Sequence, residues 1–294
     1  METLTSKFRE HTQKALSLSK ASTVITVDNV YQEGNKNILS IIDGIVDSLL
    51  LPGSGVDGME NLEELMIKAK SGKSCLLLLE HYSNMDLSIF SLLVRQAKGR
   101  GEEIANSLIA IAGMKLNQDN PEVAAYASAY TRIVIYPSRS LSGIDPEIKK
   151  TELPRSIGIN RAAMKALEEY KTKGRLVLVF PSGTRYRPWD PHTKKGVREI
   201  DSYIRSFDYM CCVAINGKLL HVQQSDMMND FVSSDIVRIT AGPVLQCGEF
   251  REKAKAENVS GIEDKKQVVV DAIMAELEKM HNQAEEKRQK ILHH

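Results

Sequence analysis

The chain has 294 residues, 42% of them hydrophobic and 26% charged, and a formal net charge of +1. That balance is ordinary for a soluble globular protein with a sizeable core, in one large or two small domains. It offers no electrostatic case for nucleic acid, and no apolar run approaches the roughly 18 residues that span a bilayer.

Residues 1–20 and 36–51 have helical periodicity. The first stretch is charged and amphipathic, without the apolar core of a signal peptide. In the second, Ile38, Leu39, Ile41, Ile42, Ile45, Val46, Leu49 and Leu50 form one face, with Asp43 and Asp47 opposite. Helices that lie on membranes favour basic polar faces, so this one is expected to pack on the main domain. Pro52–Gly58 contains a Gly-x-Gly-x-x-Gly string, followed by a helix at Met59–Lys70, a strand, and Glu80 at the spacing of a ribose contact. The segment feeding those glycines has helical rather than strand periodicity. The string therefore reads as a flexible linker, not a dinucleotide site.

Cys75–Leu79 is an apolar run of strand length, and Leu87–Val94 has apolar residues at helical spacing. Between them lies His81-Tyr82-Ser83-Asn84-Met85-Asp86. Ser83 and Asp86 match a capping box that would start the helix at Ser83. With the histidine on the preceding turn, the two side chains can face each other. An aspartate bonded to one ring nitrogen leaves the other free to take a proton. The bland alternative is a capped helix beside a structural histidine.

Further strands are predicted at Leu108–Gly113 and Arg132–Pro137, separated by an alanine-rich helix at Pro121–Tyr130. The second ends in Ser138-Arg139-Ser140. A helix over 155–172 follows, stopped by Gly174. Next comes Leu176-Val177-Leu178-Val179-Phe180-Pro181-Ser182-Gly183-Thr184-Arg185-Tyr186-Arg187-Pro188, a strand running into a turn that projects two arginines. Paired guanidiniums suit a phosphate, which arginine binds through two parallel hydrogen bonds. From Arg185 to Arg198, Lys194 and Lys195 add to a cluster fit for an anionic acyl donor, or for an exposed basic loop. Met210–Ile215 and Ile236–Ala241 read as later strands. A long helix begins at Lys265, and its polar tail from Glu285 is expected to fray.

The expected fold is α/β: a mixed, largely parallel sheet flanked by helices, with a helical N-terminal segment. Its expected divisions are 1–58 (helical segment and linker), 59–262 (α/β domain) and 263–294 (C-terminal helix and tail). Parallel sheets bind ligands at the carboxyl ends of their strands, where His81, Arg139, Arg185 and Arg187 are all predicted to fall. The four cysteines, Cys75, Cys211, Cys212 and Cys247, include no Cys-x-x-Cys pair. They argue for reduced thiols in a cytoplasmic compartment and against a zinc site or a disulfide frame.

Together the two blocks, His81-x4-Asp86 and Phe180-Pro-Ser-Gly-Thr-Arg185, resemble the glycerolipid acyltransferase family over about residues 40–250. The resemblance is nearest to the soluble, plastid-type glycerol-3-phosphate acyltransferases, through the helical N-terminal segment and the Pro-Ser-Gly-x-Arg-x-Arg-Pro wording of the second block. Lysophosphatidate acyltransferases usually have Pro-Glu-Gly-Thr-Arg there. Glu80 stands where the family usually has asparagine, either raising the basicity of His81 or pointing away. Ser138-Arg139 stands where soluble relatives have a Lys-His pair.

The resemblance implies acyl transfer from a carrier-protein or coenzyme A thioester to glycerol-3-phosphate, with His81 as general base and Asp86 orienting it. Arg139, Arg185 and Arg187 would hold the phosphate. Ser138, Ser182, Gly183, Thr184, Lys194 and Lys195 would be further substrate or donor contacts. It implies no metal and no cofactor, transient contact with a membrane surface, and lysophosphatidate as the alternative acceptor. A non-catalytic lipid- or phosphate-binding protein on the same scaffold would need the arginines but no base. A hydrolase using Ser182 would lack the usual Gly-x-Ser-x-Gly elbow.

Overall fold

The computed structural model describes residues 2–292 apart from Ala21, Thr23, Asp119, Gly143, Asp226, Val259 and Ser260. The closing His293-His294 pair, too short to suggest a metal site, lies outside the described residues. The strands are β1 (Tyr31–Gln32), β2 (Gly55–Asp57), β3 (Cys75–Leu79), β4 (Leu108–Gly113), β5 (Arg132–Ile135), β6 (Leu176–Val179), β7 (Tyr209–Asn216), β8 (Leu220–His221), β9 (Phe231–Val232), β10 (Arg238–Ala241) and β11 (Leu245–Gln246). Nine of them form one sheet in the order β1-β5-β4-β6-β3-β7-β10-β2, with β11 also paired to β7. The five central strands, β5, β4, β6, β3 and β7, are mutually parallel. β1 and β10 run antiparallel at the flanks.

Strand β3 lies mid-sheet with every residue buried. Its Cys75, Leu77 and Leu79 pack into one apolar layer with the helices Lys36–Asp47, Met59–Lys70 and Asp86–Gln96. Leu76 and Leu78 pack into the opposite layer with the helices Pro146–Tyr170, Ile200–Ser206 and Lys265–Leu292. A strand covered on both faces must be apolar at every position, which is why Cys75–Leu79 reads as a continuous run instead of an alternation. Truncating Leu77 to alanine there costs about 2–5 kcal/mol.

The structure differs from the sequence-based expectations at four places. The expected linker supplies β2, which pairs in parallel with β10, so the first segment is woven into the sheet of the second. The helix expected over 155–172 is Pro146–Tyr170; Asp145 caps it, accepting from the Glu147 amide, and it runs on through Pro154. A proline inside a helix usually marks a break, and here the better start signal lies one turn and more upstream. The C-terminal tail does not fray within the described residues. The helix continues to Leu292, because buried Arg288 donates to the Ile236 carbonyl and pairs with Asp235 and Glu285. Finally, the helix after His81 starts at Asp86, not Ser83, and Ser83 serves Asp86 rather than capping.

The two aspartates of the Lys36–Asp47 helix are used inside the fold: Asp43 pairs with Arg95 and Asp47 accepts from Gln96. That helix packs on the main core as expected.

Candidate active site

His81 leaves the carboxyl end of β3, and its Nδ1 lies 2.9 Å from Oδ2 of Asp86. Asp86 is almost fully buried. The same Oδ2 accepts from the Tyr82 amide and, at 2.8 Å, from the Ser83 amide. Oδ1 accepts from the Ser83 hydroxyl at 2.7 Å. A carboxylate with this many donors is fixed in place. Since an ionised carboxylate only accepts, Nδ1 carries the proton in neutral His81 and Nε2 keeps its lone pair.

The second block closes on the first. Phe180, just past β6, stacks on the His81 ring with centroids 4.0 Å apart. The Tyr186 amide donates to the His81 carbonyl at 2.8 Å. Parallel pairing of β3 with β6 brings about this meeting, because it sets both strand ends side by side. The turn between Phe180 and Tyr186 needs a left-handed residue, and Gly183 has φ +61°.

His81 lines a cavity of about 320 Å³. Glu80, Tyr82, Pro181, Ser182 and Tyr186 form one side. Thr193, Lys194, Lys195 and Gly196 form another, and the C-terminal helix closes it with Asp271, Met274, Ala275, Leu277 and Glu278. Gly196 allows this close approach, since a Cβ there would fall 2.3 Å from Val270. A second cavity of about 450 Å³ shares Tyr82, Tyr186 and Lys194 with the first and continues to Lys218, His221, His281 and Arg288.

The expected phosphate ligands divide into two groups. Arg185 is buried and its Nη1 donates to the fully buried Asp230. None of Arg139, Arg185 and Arg187 is among the residues lining either cavity. Arg139 and Arg187 lie near one another, outside both cavities. Arg139 donates to the Gly183 carbonyl, and partial desolvation, then the neighbouring Arg187 charge, pulls its pKa below the usual arginine range. Ser138 points to Glu199, to which it donates a hydrogen bond. The cavity beside His81 therefore has Lys194 and Lys195 as its cations among the described residues, with Lys194 3.0 Å from Glu278. The Ser182 hydroxyl donates to the Thr184 carbonyl at 2.7 Å, a turn-locking bond and not a nucleophile's link to a base.

Glu80 points away from His81. Its Oε2 accepts from the Ile215 amide at 3.0 Å and lies 2.9 Å from Nδ1 of His281; its Oε1 accepts from the Tyr82 hydroxyl at 3.0 Å. Burial first, then the Glu80 charge, raises the Tyr82 pKa well above the usual tyrosine value. His281 and the cavity wall of the C-terminal helix had no local signal in the sequence. Nothing near residue 281 shows that the chain returns to the residue preceding His81.

All four cysteines are buried free thiols. Burial pushes Cys75, Cys212 and Cys247 up to about 12, so none is a nucleophile near neutral pH. No group of three or more metal-binding side chains occurs among the described residues. Compared with models of known protein families and with curated proteins, the chain matches none.

Proposed function

We propose that the protein is an acyltransferase that moves a fatty acyl group from a thioester to a hydroxyl of glycerol-3-phosphate. The observation that carries this reading is the His81–Asp86 pair, stacked under Phe180 and open to a cavity with a cationic rim. An imidazole fixed by a buried carboxylate and facing a cavity is what a general base needs, and a binding protein needs no such base.

In the proposed reaction, Nε2 of His81 takes the proton from the acceptor hydroxyl as the oxygen attacks the thioester carbonyl. Asp86 stabilises the imidazolium that forms. Backbone amides of the turn carrying Ser182 and Thr184 stabilise the tetrahedral oxyanion. The intermediate collapses, the carbon–sulfur bond breaks, and the imidazolium returns its proton to the departing thiolate. Arg139 and Arg187, neighbouring cations on the turns that follow β5 and β6, are the pair proposed for the phosphate. Lys194 and Lys195 suit the anionic donor, whether coenzyme A or a carrier protein. Arg185 serves the fold through Asp230. The same reading brings the protein into transient contact with a membrane surface, where its product belongs.

Purified protein incubated with glycerol-3-phosphate and a labelled acyl thioester tests the proposal, with lysophosphatidate run in parallel as the other acceptor. Labelled ester formed from glycerol-3-phosphate supports it. Ester formed only from lysophosphatidate moves the acceptor, and free fatty acid alone would make the protein a hydrolase.

A further inference from the structure

The criterion that assigns the Lys36–Asp47 helix to the core selects a different helix for the lipid surface. Pro146–Tyr170 buries Ser156, Ile159, Ala163 and Leu167 against the sheet. On its outer side Leu153, Ile157 and Met164 are 43%, 53% and 41% exposed. At about 100° per residue they fall within about 40° of one another, a single stripe along the helix. Across the outer face, Val24 and Val27 are also exposed, and Val27 reaches the helix at Gly158. Between stripe and valines run Arg161 and Lys165, and Lys149 flanks the stripe on its other side.

Ion pairing leaves this face positive, with the exposed Asp28 carboxylate beside Val27 as the opposing charge. The four glutamates of the helix are all occupied: Glu147 by Lys150, Glu152 by Arg155, Glu168 by Lys171 and Glu169 by Lys173. Among the described residues Lys149, Arg161 and Lys165 have no acidic partner, so the face carries unspent positive charge beside apolar side chains. Apolar residues laid beside uncompensated cations match an anionic bilayer surface, where lipid takes up the side chains and phosphate the charge. The helix also starts at the right place. It follows the turn at Ser138–Leu141 that carries Arg139, and Glu152 accepts from Tyr136 at the end of β5. Its first turns thus lie at the same sheet edge as His81.

We infer that the outer face of the Pro146–Tyr170 helix, with Val24 and Val27, docks on an anionic lipid surface. The inference stands on this surface alone, and it deepens the acyl-transfer reading by naming where the membrane lies. Vesicle binding is measured without substrate, so a failed transfer reaction and a failed docking are separate results.

The test is centrifugation of the full chain with vesicles of phosphatidylcholine alone and of phosphatidylcholine with an equal part of phosphatidylglycerol. Wild type is expected to bind the anionic vesicles and to stay in solution with the neutral ones. Arg161→Gln with Lys165→Gln, and separately Leu153→Ser with Ile157→Ser and Met164→Ser, are each expected to lower the partition coefficient about tenfold or more. Ile67→Ser, an equally exposed site on the helix Met59–Lys70 of the opposite layer, is expected to change nothing. Thermal melting checks that each variant is folded. Absence of wild-type binding, equal binding to both vesicle types, or unaltered binding by both combined variants overturns the inference. So does a concentration-dependent dimer abolished by the serine variants, which would give this face to a second copy of the chain.

Discussion

The molecule holds two imidazole–carboxylate pairs with the same 2.9 Å separation, His81–Asp86 and His281–Glu80. Both use Nδ1, both carboxylates are buried, and both carboxylates also accept from backbone amides. They differ in what they hold. The first joins residues five apart and fixes a ring that faces a cavity under Phe180. The second spans 201 positions and fastens the C-terminal helix to the end of β7, where Asn216 donates to the His281 carbonyl and to Glu285. Identical pair geometry thus occurs in two settings, one proposed for proton transfer and one that fastens the C-terminal helix.

Variants can break that comparison. The largest effect is expected at Asp86→Asn, which keeps the shape but removes the charge that fixes the tautomer. Turnover should fall about 10²–10⁴-fold in the acyl-transfer assay, with stability lower by about 1–3 kcal/mol in urea titration. Retained turnover would demote the first pair to the status of the second.

Arg185→Ala comes next, and its effect falls on the fold. It strands the Asp230 carboxylate without its buried partner, at a cost of about 3–5 kcal/mol in the same titration. An unchanged midpoint with a raised KM for the phosphorylated acceptor would return Arg185 to substrate binding.

His281→Ala should cost about 1–3 kcal/mol and reduce turnover less than tenfold, because the second pair fastens and does not transfer protons. A loss of turnover on the scale of Asp86→Asn, in a folded protein, would make it part of the chemistry. Arg139→Ala should have the mildest effect: a several-fold rise in acceptor KM with no shift in melting, since the side chain is exposed and leaves no buried partner behind.

The difference between the pairs also explains what could be read ahead of the structure. His81 and Asp86 are legible because one turn contains both, and the apolar run before them announces the strand that delivers them. Phe180 and the turn after it are legible for the same reason. Glu80–His281 and Arg185–Asp230 are long-range partnerships, invisible to any rule about spacing. Arg185 looked like a phosphate ligand because a strand-end arginine has the same local surroundings whether its partner is a substrate or a distant aspartate. The polar tail looked frayed because Arg288, read alone, is a solvent residue; only the carbonyl of Ile236 and the carboxylate of Asp235 make it an anchor. The strand β2 was hidden by its glycines, whose pairing with β10 depends on a segment far along the chain.

The most direct measurement is single-turnover acyl transfer by wild type and His81→Ala at equal enzyme concentration, with melting curves for both. The expected result is transfer by wild type and a rate about 10²–10⁴-fold lower in the variant, which stays folded with a melting temperature lowered by a few degrees. Near-normal transfer by the variant would contradict the assignment of His81 as the base.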